Sequence, residues 1–182
     1  VGETAPPLLT TTISANLDAT VAAHGDREAL VDCEQGIRWT YAEFAAEVDH
    51  AARALVAAGL MVGERVGIWA PNMAQWTVVQ YATAKLGLIL VNINPAYRTH
   101  ELQFVLKQSG IVALFAVEQF KTSNYAAMIE QVRGDCPDLR AVVYFGTPGW
   151  EEFLAGGKGV SLEAVQEIAD GLRPEDAINI QY

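Results

Sequence analysis

From Thr40 onward the apolar residues keep changing period, and that alternation narrows the fold more than any single motif does. Phe44, Val48, Ala51, Leu55 and Ala58 recur every three or four positions, which puts them on one face of a helix. A nearly continuous apolar run over 65–69 follows, then a helix after Asn72 to 86, a strand over 88–93, a helix after Thr99 to 108 and a strand over 111–117. A helix over 124–133 and a strand over 141–145 extend the series. Each strand, helix, strand step is a βαβ unit, which sets the strands parallel and lays helices over the sheet. Strands covered on both faces need no polar alternation, and these runs show almost none. The expected fold class is α/β, a mostly parallel sheet covered by helices.

The front of the chain reads differently. Residues 1–23 suggest an arm and a short helix, with Thr10, Thr11 and Thr12 as capping candidates ahead of Ile13, Leu17 and Val21. Two short apolar runs, 29–33 and 37–39, flank Glu34, Gln35 and Gly36, which predicts an antiparallel hairpin whose glycine supplies a positive φ. Thr40 and Glu43 have the spacing of a capping box, Trp39 and Phe44 that of a hydrophobic staple, and Gly59 is placed to end the helix in a left-handed conformation. This divides the chain into an arm and short helix over 1–26 and an α/β part over 27–182. Residues 146–159 read as a loop-rich stretch holding one short helix, and 161–182 as a last helix and the start of another strand. The strand expected over 176–182 has no turn, cap or polar tail after it, so the sequence reads as cut off in mid-fold.

Charge and cysteine content bound the partners and the compartment. Twelve Lys and Arg against 22 Asp and Glu leave a formal charge of -10, the wrong sign for holding phosphate backbones, so no nucleic-acid partner is expected. Cys33 and Cys136 form no CxxC motif and are too few to staple a chain of 182 residues, which fits a reducing cytoplasm. The opening Val1 to Pro7 stretch carries an acid and two prolines where a signal peptide would need basic and then apolar residues. No apolar run approaches the roughly 20 residues of a membrane span.

Candidate chemistry is sparse. His24, His50 and His100 show no i, i+4 pairing and no cysteine nearby in sequence, so ordinary surface histidines are favoured over a metal site. Ser109 precedes Gly110 at an expected helix end and reads as a cap rather than a nucleophile. Gly156, Gly157, Lys158 and Gly159 invite a phosphate-loop reading. Yet Glu152 stands where the first glycine of GxxxxGK[ST] belongs, and Gly159 replaces the magnesium-holding hydroxyl, so a surface turn is the better account. Gly63 to Gly67 lacks the GxGxxG spacing and precedes a strand, which weakens a nucleotide-dependent oxidoreductase. Glu151, Glu152, Glu175 and Asp176 read as solvated surface. Trp69, Trp76 and Tyr81 flank the end of a strand and could wall a ligand, with aromatic core packing as the alternative that composition favours.

Several segments in order resemble the N-terminal part of the AMP-forming acyl-CoA synthetases, the adenylate-forming family. Trp39 to Phe44 (WTYAEF) is similar to the family's early (L/W)TYxEL motif, followed by the helix, Gly59 and the Gly63 to Ile68 segment. Ala84 to Pro95 (AKLGLILVNINP) resembles the next motif, continued by Ala96, Tyr97, Arg98 and the Glu101, Leu102 helix, with Thr99 as its expected cap. Pro174 to Asp176 and Ile180 to Tyr182 resemble the lead-in to the family's Thr/Ser/Gly-rich phosphate loop.

The resemblance implies an incomplete N-terminal subdomain of an adenylate-forming enzyme. It implies a parent ligase that uses ATP and Mg2+ to turn a fatty or other carboxylic acid into an acyl adenylate, then transfers the acyl group to coenzyme A. The segment through Pro95 to Arg98 points to the fatty-acyl-CoA ligase branch. The family's phosphate loop, nucleotide-binding motifs and lysine-bearing C-terminal domain would all lie beyond Tyr182. No catalytic, cofactor-binding or metal residue of the family therefore carries onto this sequence, and this chain alone is expected to be inactive, with no cofactor bound and a tendency to self-associate. The alternative from another class is a stand-alone α/β binding or interaction domain.

Overall fold

A computed structural model describes residues 9–182. The residues of the expected N-terminal arm before Leu9 lie outside this range. Helix α1 (Ile13–His24) begins at Thr12, whose hydroxyl accepts from the Ala15 amide at 3.2 Å. Strands β1 (Glu28–Asp32) and β2 (Ile37–Thr40) pair antiparallel around a turn in which Gly36 takes φ 66°. Helix α2 (Tyr41–Ala57) follows directly, with its capping box formed: the Glu43 amide donates to Thr40 Oγ1 at 3.2 Å, and the Thr40 amide to Glu43 Oε2 at 2.8 Å. These bonds satisfy amides that have no partner inside the helix. Gly59, at φ 75°, ends the helix as its position predicts.

The alternating series is realised as β3 (Arg65–Trp69), α3 (Ala74–Lys85), β4 (Ile89–Asn92), α4 (Thr99–Ser109) and β5 (Ile111–Ala116). Two-residue strands β6 (Gln119–Phe120) and β7 (Ser123–Asn124) then form a small hairpin ahead of α5 (Tyr125–Arg133) and β8 (Ala141–Tyr144). Helices α6 (Pro148–Gly156) and α7 (Leu162–Asp170) and strand β9 (Asn179–Gln181) complete it. Five strands pair in parallel in the order β8-β5-β3-β4-β9.

Successive residues of a strand face opposite sides, so each strand feeds two cores. Val66 and Ile68 of β3, Leu90 of β4 and Phe115 of β5 pack with α1, α2, α3, α6 and α7 on one face. Trp69, Val91, Leu114 and Ala116 pack with α4 and α5 on the other. Each fully buried side chain of this kind contributes on the order of 1.5–3 kcal/mol. One charge crosses the first face: Lys85 Nζ lies 2.7 Å from Asp49 Oδ1 and 3.8 Å from Asp18 Oδ1, tying α3 to α2 and α1. Among the described residues no helix is long and apolar enough to cross a membrane.

Three expectations change in detail, and one helix takes its cap from elsewhere in the chain. The stretch over 146–159 is mostly helix, because Pro148 starts α6 and a 3-10 turn over Gly157–Gly159 follows it. Arg98, not Thr99, is the cap position of α4, and its amide donates to Glu101 Oε2 at 3.1 Å. Helix α3 has no side-chain cap from Met73 or Asn72; Asp32 Oδ2 of the hairpin accepts the Ala74 amide at 3.0 Å instead. The final strand is shorter than 176–182, since Arg173 and Asp176 close a turn in which the Arg173 amide donates to Asp176 Oδ2 at 2.8 Å.

Candidate functional site

In an open α/β sheet, ligands sit outside the carboxyl ends of the strands, where neighbouring strands send the chain to opposite faces. Here that point lies between β3, which leads to α3 on the first face, and β5, which leads to α5 on the second. Trp69 ends β3 and lies flat on Tyr125 of α5, with ring centroids 3.6 Å apart and planes 4° from parallel. Both rings are fully buried.

Their polar ends converge on one turn. Trp69 Nε1 donates to the Asn94 carbonyl at 3.0 Å, and the Tyr125 hydroxyl to the Pro95 carbonyl at 2.6 Å. Asn94 Oδ1 accepts the Ala96 amide at 2.9 Å, and the Asn94 carbonyl also accepts the Tyr97 amide at 3.0 Å. Proline at 95 keeps Asn94 out of the helical region and ends the strand. Arg98 leaves this turn and donates from Nη1 to Ser123 Oγ at 2.8 Å. Burial pushes the Tyr125 hydroxyl pKa up, so it stays protonated and able to donate at neutral pH.

Beside this turn, Asn92 Oδ1 is buried and has no hydrogen-bond partner among the described residues. A buried acceptor left without a donor is costly, which marks the position as one not optimised for stability. Tyr97, His100, Glu101, Phe104, Val105 and Tyr182 border an apolar groove of about 180 Å³ next to β9. Across the sheet end, the Asp32 carboxylate accepts the Gln35 amide at 3.0 Å, the Glu34 amide at 3.1 Å and the Ala74 amide. The Gln35 amide leads in holding its pKa below the ordinary value.

The other sequence candidates resolve into structure. Arg53 Nε donates to the Val160 carbonyl at 2.6 Å and its Nη2 to the Lys158 carbonyl at 2.9 Å, so the Gly156 to Gly159 turn offers carbonyls to a cation. Gly157 is there because a Cβ would stand 2.6 Å from the Ala54 amide nitrogen of α2. Ser109 Oγ donates back to the Val105 carbonyl at 2.6 Å, and Gly110 at φ 61° ends α4. His24, His50 and His100 are exposed on three different helices, and no group of three or more His, Cys, Asp or Glu among the described residues could hold a metal ion. Trp76 and Tyr81 pack on the first face, where Tyr81 meets Phe44 edge-on at 5.2 Å, so they share no wall with Trp69. Tyr125, Asn92 and Asp32 were not singled out by sequence. The one available signal was Asn92, a polar residue inside an otherwise apolar strand.

The sequence model of the family described as AMP-binding enzyme matches residues 17–182. This chain belongs to that family. Within the AMP-binding enzymes it is 40% identical to the mitochondrial medium-chain acyl-CoA ligase ACSF2 of Macaca fascicularis, over 96% of this chain and 31% of that protein. Its identity to the ACSF2 of Danio rerio is 36%, over 100% of this chain and 33% of that protein. The fatty acyl CoA synthetase of Mycobacterium tuberculosis superposes with a TM-score of 0.79 and 25% identity, covering 94% of this chain and 32% of that one. The chain therefore spans about a third of the length of the relatives it matches. The fold shared with these AMP-binding enzymes is the α/β arrangement expected from the sequence.

Proposed function

We propose that this chain is the N-terminal scaffold of a fatty-acyl-CoA ligase, with residues 1–26 as its arm and first helix and 27–182 as the front of the AMP-binding domain. The parent enzyme would join a fatty acid to ATP, the carboxylate displacing pyrophosphate to leave an acyl adenylate. The thiol of coenzyme A would then displace AMP to form the thioester. The observation that carries this reading is the match of 17–182 to the AMP-binding family together with 36–40% identity to medium-chain acyl-CoA ligases over essentially the whole chain. Those relatives support medium-chain acids as the substrate class.

No residue of this chain is assigned to ATP or Mg2+, because the motifs that would hold them in the family are proposed to lie outside residues 1–182. The isolated chain is proposed to be without turnover and to self-associate. Its sheet leaves β8 and β9 as edges, and Phe104 and Tyr182 are 55% and 38% exposed. Two free thiols, Cys33 and Cys136, support a reducing compartment, and we place the protein in the cytoplasm; organelle fractionation that recovers it elsewhere would overturn that placement.

The test is to read the source reading frame past the Tyr182 codon and to assay both products. A Thr/Ser/Gly-rich loop with a lysine beyond Tyr182, and thioester formation by the longer protein alone, are the expected results. A stop codon there, or thioester formation by the 182-residue chain free of host ligase, would overturn the scaffold reading. A monomer by light scattering at high concentration would overturn self-association.

A further inference from the structure

The Trp69–Tyr125 stack does more than fill space between β3 and α5. Each ring carries one hydrogen-bond donor, and the two donors reach consecutive carbonyls, Asn94 at 3.0 Å and Pro95 at 2.6 Å. Both rings are fully buried and nearly parallel, which holds the indole N–H and the phenol oxygen in place at the turn. The turn they grip leads from the carboxyl end of β4 into α4, with Tyr97 half-buried against the second core and Arg98 exposed. Two further bonds of this turn, Ala96 to Asn94 Oδ1 and Tyr97 to the Asn94 carbonyl, depend on Asn94 being held in place.

We infer that Trp69 and Tyr125 are positioning residues, a two-donor clamp that fixes the 94–98 turn at the carboxyl rim where the parent ligase handles its substrates. The inference rests on the ligase reading for its functional consequence, and on geometry alone for the clamp. A phenylalanine at 125 keeps the stack and removes only the donor. A phenylalanine at 69 keeps an aromatic ring and removes the indole N–H.

The test has two arms. In the 182-residue chain, Tyr125→Phe should raise hydrogen exchange at the Ala96 and Tyr97 amides by about tenfold or more, while β3 and β5 amides keep their wild-type rates. Uniformly faster exchange, or no change at 96 and 97, would overturn the clamp. Trp69→Phe should reproduce the local pattern if Tyr125→Phe fails to fold. In the full-length ligase, assayed as thioester formation from a medium-chain fatty acid, ATP and coenzyme A, Tyr125→Phe should lower kcat/KM about fivefold or more, well below the melting temperature of the variant. Unchanged kcat and KM would overturn the positioning role. A wild-type parent that forms no thioester would overturn the ligase reading instead, and the exchange arm would still decide the clamp.

Discussion

The two rims of the central sheet are closed by opposite chemistry. At the amino rim, cations meet carbonyls and carboxylates: Arg65 Nε donates to the Ser109 carbonyl at 2.8 Å, and Arg140 Nη2 reaches both Glu64 oxygens at 2.8 and 2.9 Å. At the carboxyl rim, acids meet amides, with Asp32 on Ala74 and Glu101 on Arg98, and two aromatic donors hold the Asn94 and Pro95 carbonyls. Helix direction accounts for the first contrast. A helix that follows a parallel strand starts at the carboxyl rim and ends at the amino rim, so its positive end attracts acids and its negative end cations. The second contrast is not structural economy: the carboxyl rim also contains the unpartnered Asn92 oxygen and the exposed rings of Phe104 and Tyr182. The free Asn92 oxygen lies at the carboxyl rim, the edge at which an open α/β sheet binds its ligand.

The contrast breaks most sharply at Trp69. If the carboxyl rim is anchored by the clamp, Trp69→Ala removes a fully buried ring and should cost about 3–5 kcal/mol in urea unfolding, by cavity formation and by loss of the indole bond to the Asn94 carbonyl. A loss near 1 kcal/mol would mean that the rim yields around the gap and is not an extension of the core.

Asn92 offers a smaller effect of opposite sign. Leucine has the same branched shape and no polar atoms, so Asn92→Leu should be neutral or raise stability by about 1 kcal/mol, since it deletes an acceptor that has no donor among the described residues. A clear destabilisation would show that a donor, such as an ordered water, already serves this oxygen. The same substitution in the parent ligase should reduce activity if that oxygen is kept for a substrate or bound water.

Much of the fold was legible because local signals agreed. Thr40, Glu43, Phe44 and Gly59 each fix one feature of α2, and the apolar runs of β3 and β5 leave no other use for them. What escaped the sequence was nonlocal. Asp32 caps a helix 42 positions away, and Tyr125 bonds a carbonyl 30 positions away, distances that no spacing rule spans. The β6 and β7 hairpin was missed because two-residue strands have no period to read, and Lys121 takes φ 53° there without a glycine to announce it. The glycines of 156–159 read as a surface turn, but their spacing could not show that Gly157 serves close approach to α2 or that the turn's carbonyls serve Arg53.

Acid should separate the rims in order. Asp32 is held below its ordinary pKa, led by the Gln35 amide; Glu101 is held below its own, led by its own backbone amide and then that of Arg98. A carboxyl whose folded pKa is lowered contributes stability above its unfolded value and loses it as pH falls through the folded one. Glu101 is exposed and Asp32 only half-buried, so the slope should be shallow, and it should appear only on going below the ordinary carboxylate range. Amides near the starts of α3 and α4 should lose exchange protection there before the Arg65 and Ser109 contact does, because an arginine bonded to a carbonyl has nothing to titrate in acid. Loss of the Arg65–Ser109 contact at the same pH would remove the distinction.

The smallest effect sits at the amino rim, and its salt dependence is the sharper reading. Arg140 is 52% exposed and approaches the two Glu64 oxygens through one nitrogen, so it lacks the two parallel bonds of a forked pair. Glu64 has a second duty, accepting the Met61 amide at 2.9 Å, and it keeps that bond when Arg140 is removed. Arg140→Ala should therefore cost only about 0.5 kcal/mol, and that cost should shrink in high salt, where exposed pairs are screened. Glu64→Ala should cost more than Arg140→Ala, because it also strands the amide in the turn that leads into β3. If the two variants cost the same, the ion pair alone closes this rim; if the loss is unchanged by salt, the contact is packing by the arginine stem, and the amino rim is not held by charge.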